Sequence, residues 1–146
     1  MQRLLTLGSL CLLGACASSP GGAAQQLAGC YYFVQDETAR ELNLPWGVEL
    51  TSDSLASPFL KGQENIREAI TLRDAERTTD FPFGYWQPLS DHTLRLGYPG
   101  MGGFTVDLTV EGNELSGRIA GVGDVATGTP MRSAPVRLTR ARCPRE

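Results

Sequence analysis

The chain has 146 residues, 41% of them hydrophobic and 20% charged, and a formal net charge of −3. That balance suits one globular domain and differs from the low-hydrophobicity, high-charge composition of disordered chains. The basic residues form no run or stripe, which argues against a nucleic-acid partner, and the acidic residues are too scattered to make a polyacidic tail.

The first segment reads as a targeting signal. Met1, Gln2 and Arg3 give a positive start, and residues 4–13 form a short apolar run interrupted by Thr6, Gly8 and Ser9. Ten such residues reach about 15 Å as a helix, half the thickness of a bilayer core, so this run does not span a membrane. Small residues lead into Cys16, and Ala17-Ser18-Ser19-Pro20-Gly21-Gly22 follows as a breaker-rich stretch. The sequence Leu13-Gly14-Ala15-Cys16 resembles the lipobox of bacterial lipoproteins. The resemblance implies a diacylglyceryl group on the Cys16 thiol, cleavage after Ala15 and acylation of the new N-terminus. Each buried methylene contributes about 0.8 kcal/mol, so three acyl chains make attachment effectively permanent. Ala17, standing where an aspartate would retain the protein at the inner membrane, implies the outer membrane of a Gram-negative envelope. The organisation expected is a signal peptide over 1–15, a lipidated cysteine and flexible tether over 16–28, and a β domain over 29–146. A flexible tether of that length spans roughly 17–21 Å.

Cleavage removes Arg3 and leaves 12 basic against 16 acidic residues, a net charge of −4. Of the four cysteines, Cys11 departs with the signal and Cys16 carries lipid. Cys30 and Cys143 remain, at the two ends of the folded region, in a chain bound for an oxidising compartment. A disulfide between them is expected, worth roughly 4–5 kcal/mol in the chain-entropy model. The alternative is two free buried thiols. Two cysteines and a distant His92 lack metal-ligand spacing, and no cofactor is expected.

In chain order, residues 30–34 read as a strand, and residues 36–42 as a helical turn ended by Asn43 and Pro45. Strands follow at 48–51 and 66–72. Residues 81–86 are aromatic enough for another, with Pro82 restricting it to an edge or a strand start. A strand at 93–98 precedes the clearest segment, 104–110, where Phe104, Val106, Leu108 and Val110 alternate with Thr105, Asp107 and Thr109. A turn containing Gly112 and Asn113 returns the chain through Leu115, Gly117 and Ile119. A last strand covers 136–139.

About eight short strands separated by turn residues suit an antiparallel all-β domain, either a sandwich or an up-and-down barrel. The cysteines favour the barrel, which sets its first and last strands side by side. Gly29-Cys30-Tyr31 resembles the Gly-x-Trp opening of the lipocalin and calycin barrels, with tyrosine in place of tryptophan. That resemblance implies an arginine on the last strand, Arg137 or Arg140, packed across the opening aromatic ring.

Catalytic signals are weak, and a non-enzymatic role is expected. His92, the sole histidine, sits beside Asp91 in a polar turn, and no Gly-x-Ser-x-Gly elbow presents a nucleophile. Residues 121–126 fit a dinucleotide fingerprint, but Thr127-Gly128-Thr129-Pro130 will not build the helix that it requires. Asp74, Glu76 and Asp80 read as a solvated face. The aromatic residues carry more information, because inward side chains of a barrel either fill it or line a cavity. Phe81, Phe83 and Tyr85 are expected on one strand face and Trp86 on the other. Trp46, Phe83, Tyr85 and Trp86 are candidates to line a site for a small apolar or amphipathic molecule, with Tyr98 and Met101 at its mouth. The alternatives are a structural or interaction lipoprotein and an envelope inhibitor of a proteinase or lysozyme. The expected partners are the membrane, through the lipid, and that small ligand.

Overall fold

In β6 (Thr105–Glu111) and β8 (Ser133–Ala141), buried side chains recur at every second position, the period with which a sheet turns one face inward. A computed structural model of the chain describes residues 20–56, 60, 62–72, 82–97, 105–120 and 133–144. The remaining strands are β1 (Gly29–Phe33), β2 (Gly47–Ser54), β3 (Arg67–Leu72), β4 (Tyr85–Ser90), β5 (Thr93–Gly97) and β7 (Glu114–Ala120). All eight pair antiparallel in sequence order and close into an up-and-down barrel. Tyr31 of β1 stands opposite Val48 of β2 on one side and Arg140 of β8 on the other, which is the closing seam. Closure leaves no sheet edge to protect. The disulfide lies at that seam, joining Cys30 to Cys143 with the Cα atoms 5.1 Å apart.

The inward face is apolar from strand to strand. Trp86, Leu96 and Val106 follow one another in register, and Leu115 lies opposite Leu138. All belong to a single core cluster. In the β6–β7 hairpin, Val106, Leu108, Leu115 and Ile119 are buried, Thr105, Asp107 and Thr109 are exposed, and Val110 is half-buried. Phe104 lies outside the described residues. Where the two strands cross closely, a Cβ on Gly117 would come within 2.3 Å of the Asp107 carbonyl oxygen.

The segment expected to be a flexible tether is partly helix. α1 (Pro20–Leu27) buries Ala23, Ala24 and Leu27, and the last two join the barrel core. Its glycines and short side chains argue against a helix taken alone. They also allow close packing against a barrel end, and that burial overrides propensity. α2 (Glu37–Glu41) falls within the expected helical turn. The Asp36 carboxylate accepts from the Ala39 N–H at 2.9 Å as its N-cap, and Asn43, with φ at 50°, turns the chain away afterwards.

β4 starts at Tyr85 and not near residue 81, and Pro88 lies within it. The register shifts between Pro88 and Ser90, an irregularity that accommodates a residue without an N–H. Because the strands run up and down, the connections divide between two ends. One end holds α1, the 55–66 connection and the two-residue turns at 91–92 and 112–113. The other joins strands through α2 and through the connections 73–84, 98–104 and 121–132. Among the described residues, no helix is long and apolar enough to cross a membrane.

Candidate functional site

At the α1 end, the C-terminal carbonyls of the helix are held by side chains of the first and last strands. Arg140 donates through Nη1 to the Gln26 carbonyl at 2.9 Å and through Nη2 to the Ala28 carbonyl at 2.6 Å. Its guanidinium also sits 5.7 Å from the centre of the Tyr31 ring, and the Tyr31 hydroxyl donates to the Leu27 carbonyl at 3.0 Å. A cation at a helix C-terminus complements the unpaired carbonyls and the helix dipole. Burial pushes the Tyr31 hydroxyl above its ordinary pKa, and the nearby Arg140 charge opposes that rise. Gly29 makes the approach feasible: its φ is +141°, and a Cβ there would sit 3.2 Å from Arg140 Nη2. The arginine expected across the opening aromatic is therefore Arg140. Arg137 is exposed opposite Ser116.

The sequence-predicted ligand-lining residues separate into three groups. Phe83 and Trp86 come together in the core, where Phe83 stacks on Phe33 with ring centres 5.7 Å apart. Trp86 is fully buried and its Nε1–H donates to the Thr51 carbonyl at 2.9 Å. Tyr85 is buried but opposite Glu68 and Gly97 in the ladders, on the face away from Trp86. It does not share a face with Phe83, because residues 82–84 precede the regular strand and break the period of two. Burial raises the pKa of Tyr85, with Arg95 opposing and Asp107 adding to the rise. Those two residues form a bidentate ion pair at 2.7 and 2.9 Å. Trp46 is 47% exposed and meets Tyr32 edge-on at 5.0 Å. Tyr98, Met101 and Cys16 lie outside the described residues, as do Phe81 and the 121–126 segment.

Arg67, which the sequence reading passed over, stands opposite Trp86 and donates through Nη1 to the Ser52 carbonyl. Its position on the same face as Trp86 depends on the β3–β4 pairing, which no local pattern announces. His92 is exposed in the β4–β5 turn, where its backbone N–H donates to the Ser90 hydroxyl oxygen at 3.1 Å. Cys30, Glu49 and Cys143 place ligand-type atoms within 4.8 Å of one another, but the two sulfurs are bonded to each other. A disulfide sulfur is a poor metal ligand compared with a thiolate.

The chain matches no family model, no curated protein and no solved structure.

Proposed function

We propose that this chain is a lipid-anchored, non-enzymatic cell-envelope barrel of the lipocalin-like type. It binds a small apolar or amphipathic molecule at the end opposite α1. The observation that carries the reading is the asymmetry of the closed barrel. One end is plugged by α1 under the grip of Arg140 and Tyr31. The other end carries connections of 13, 12, 7 and 12 residues, against one of 12 and two of 2 at the α1 end, and the stacked Phe33–Phe83 pair lies where β1 ends and β4 is about to begin. Long connections at a barrel mouth suit recognition, and aromatic walls suit apolar ligands. The lipobox-like segment supports the anchor at Cys16.

The test is a thermal melt of the mature domain with fatty acids and isoprenoids. Ligand that binds only the native state raises the midpoint progressively with concentration, and Phe83→Ala should weaken that response. A flat response across the panel would sink the ligand reading. The anchor has its own test: Cys16→Ser should leave the membrane fraction after alkaline washing.

A second reading is a protein-contact lipoprotein. It is favoured by the packing of the described interior, where Trp86, Leu94, Leu96 and Leu138 are fully buried, and by the exposed side chains of Trp46 and Ile70. Exposed apolar side chains of this size can anchor a partner. Under this reading, Trp46→Ala abolishes partner capture while leaving the melting midpoint unchanged.

A further inference from the structure

The chain between the proposed lipid and the folded barrel is short. α1 begins at Pro20, and its core-packed residues fix it to the barrel end. Only residues 17–19 separate Cys16 from it. Fully extended, the chain from Cys16 to Pro20 covers at most about 14 Å. α1 lies across its end of the barrel, in contact with β2 and β4 and leading into β1. The opposite end is out of reach of such a leash. The eight residues of β2 rise about 26 Å along the strand, or roughly 20 Å along the axis at an ordinary barrel tilt.

We infer that the α1-capped end of the barrel faces the membrane surface, and that the end carrying α2 and the longer connections points into the aqueous compartment. The inference rests on the lipid anchor proposed above and adds the orientation that this anchor imposes. The facing surface also selects its lipid. Asp53, Glu64, Asp91, Glu111 and Glu114 are exposed at or beside this end, together with the apolar Leu89. Among the described cations at this end, Arg140 is engaged by the α1 carbonyls and Arg67 by the Ser52 carbonyl, so the five carboxylates face Arg142 alone as an exposed positive charge outside these bonds. Carboxylates brought within a Debye length of about 8 Å are repelled by anionic headgroups, so the surface fits a zwitterionic leaflet. The ligand entrance then opens away from the bilayer, and its ligand arrives through the aqueous phase or from a carrier and not by lateral diffusion in the membrane.

The experiment couples the mature chain, through the Cys16 thiol, to maleimide-headgroup lipid in phosphatidylcholine vesicles that contain headgroup-nitroxide lipid. Cys16 is the free thiol available, because Cys30 and Cys143 are bonded. Emission loss is compared between the parent chain, whose exposed reporter is Trp46 at the far end, and a Trp46→Phe, Leu89→Trp variant reporting from the α1 end; buried Trp86 is present in both and gives the same background. The variant should lose more emission than the parent. Equal or greater loss in the parent would overturn the orientation, as would hydrogen-exchange protection on coupling at α2 instead of the 91–92 and 112–113 turns. The exchange measurement uses the unsubstituted chain, so it stands even if the variant folds poorly. A flexible Gly/Ser insertion of about twelve residues after Ser19 extends the leash by a chain of roughly 17–21 Å and should erase the difference. Persistence of the difference would refute the leash as its cause. Because the lipid is attached chemically, these outcomes are independent of cellular lipidation, which the Cys16→Ser fractionation tests separately.

Discussion

Arg140 ties three parts of the molecule through one side chain: the last strand that carries it, the Tyr31 ring of the first strand, and the last turn of α1. A lysine could supply the charge but not the planar fork that reaches two carbonyls at once. These bonds are partly open to solvent, so Arg140→Ala should cost roughly 0.5–1.5 kcal/mol and speed hydrogen exchange in α1, while Arg137→Ala leaves both nearly unchanged. Urea melts and exchange of the Ala28 amide, which donates to Ala24, check this. The parity of β8 makes the choice between the two arginines legible after the fact, since 136, 138 and 140 share the face that Leu138 turns inward. The Arg95–Asp107 pair gives a pH-dependent counterpart on the outside. The hydrogen bond from Arg95 holds the Asp107 carboxyl below its ordinary pKa, with burial opposing. A depressed carboxyl contributes stability above its unfolded pKa and loses that contribution as pH falls through the folded value. The side chains are 37% and 55% exposed, so screening limits the pair to about 0.2–1 kcal/mol. Asp107→Asn should therefore be less stable than the parent near neutral pH and at low salt, with the gap closing in acid. A gap that persists at low pH would assign the effect to something other than charge.

Among the elements, the β6–β7 hairpin has the clearest internal logic. A register slip of one residue would place Asp107 in the core and Leu108 in solvent. Leu108→Ala should cost about 2–5 kcal/mol because the site is fully buried, and Thr109→Ala should cost much less; equal losses in urea would contradict the face assignment. Gly117→Ala tests the same hairpin from the other direction. The added methyl would meet the Asp107 carbonyl oxygen at 2.3 Å and Leu108 Cδ2 at 2.9 Å, and backbone cannot yield as a flexible side chain does. Overpacking of this kind should cost about 1–3 kcal/mol. This hairpin was readable because its alternation and its turn residues agree. α2 was readable because Asp36 caps it and Asn43 ends it. α1 was not, since Ala23, Ala24 and Leu27 are a thin apolar signal whose value appears only when a barrel end receives them. The start of β4 was misplaced for a related reason. Phe83 and Tyr85 look like two positions of one strand face, but Gly84 stands before regular pairing begins, and Phe83 goes inward to Phe33.

At the scale of the whole molecule, what is hard to read from sequence is which distant side chains meet. Cys30 and Cys143 could be matched because they bracket the folded region, and a barrel brings such ends together. Trp86 with Arg67, or Phe83 with Phe33, depends on the register of strand pairs far apart in the chain. The seam between β1 and β8 is the most remote of these pairings, and the disulfide across it closes a sequence separation of 113 residues. In the chain-entropy model such a loop restricts the unfolded chain by roughly 4–5 kcal/mol, far more than any one surface contact contributes. Cys143 is exposed, so Cys143→Ser breaks the bridge without emptying core volume, whereas a change at buried Cys30 would mix the two effects. Cys143→Ser should lower unfolding free energy by several kcal/mol and, by releasing a more expanded unfolded chain, steepen the urea dependence. Reductant should bring the parent to the same midpoint and slope, and should leave the variant unmoved. A parent whose urea transition is indifferent to reductant, with the bridge shown to be broken by thiol alkylation, would place the stability of the closing seam in its hydrogen bonds and core packing instead.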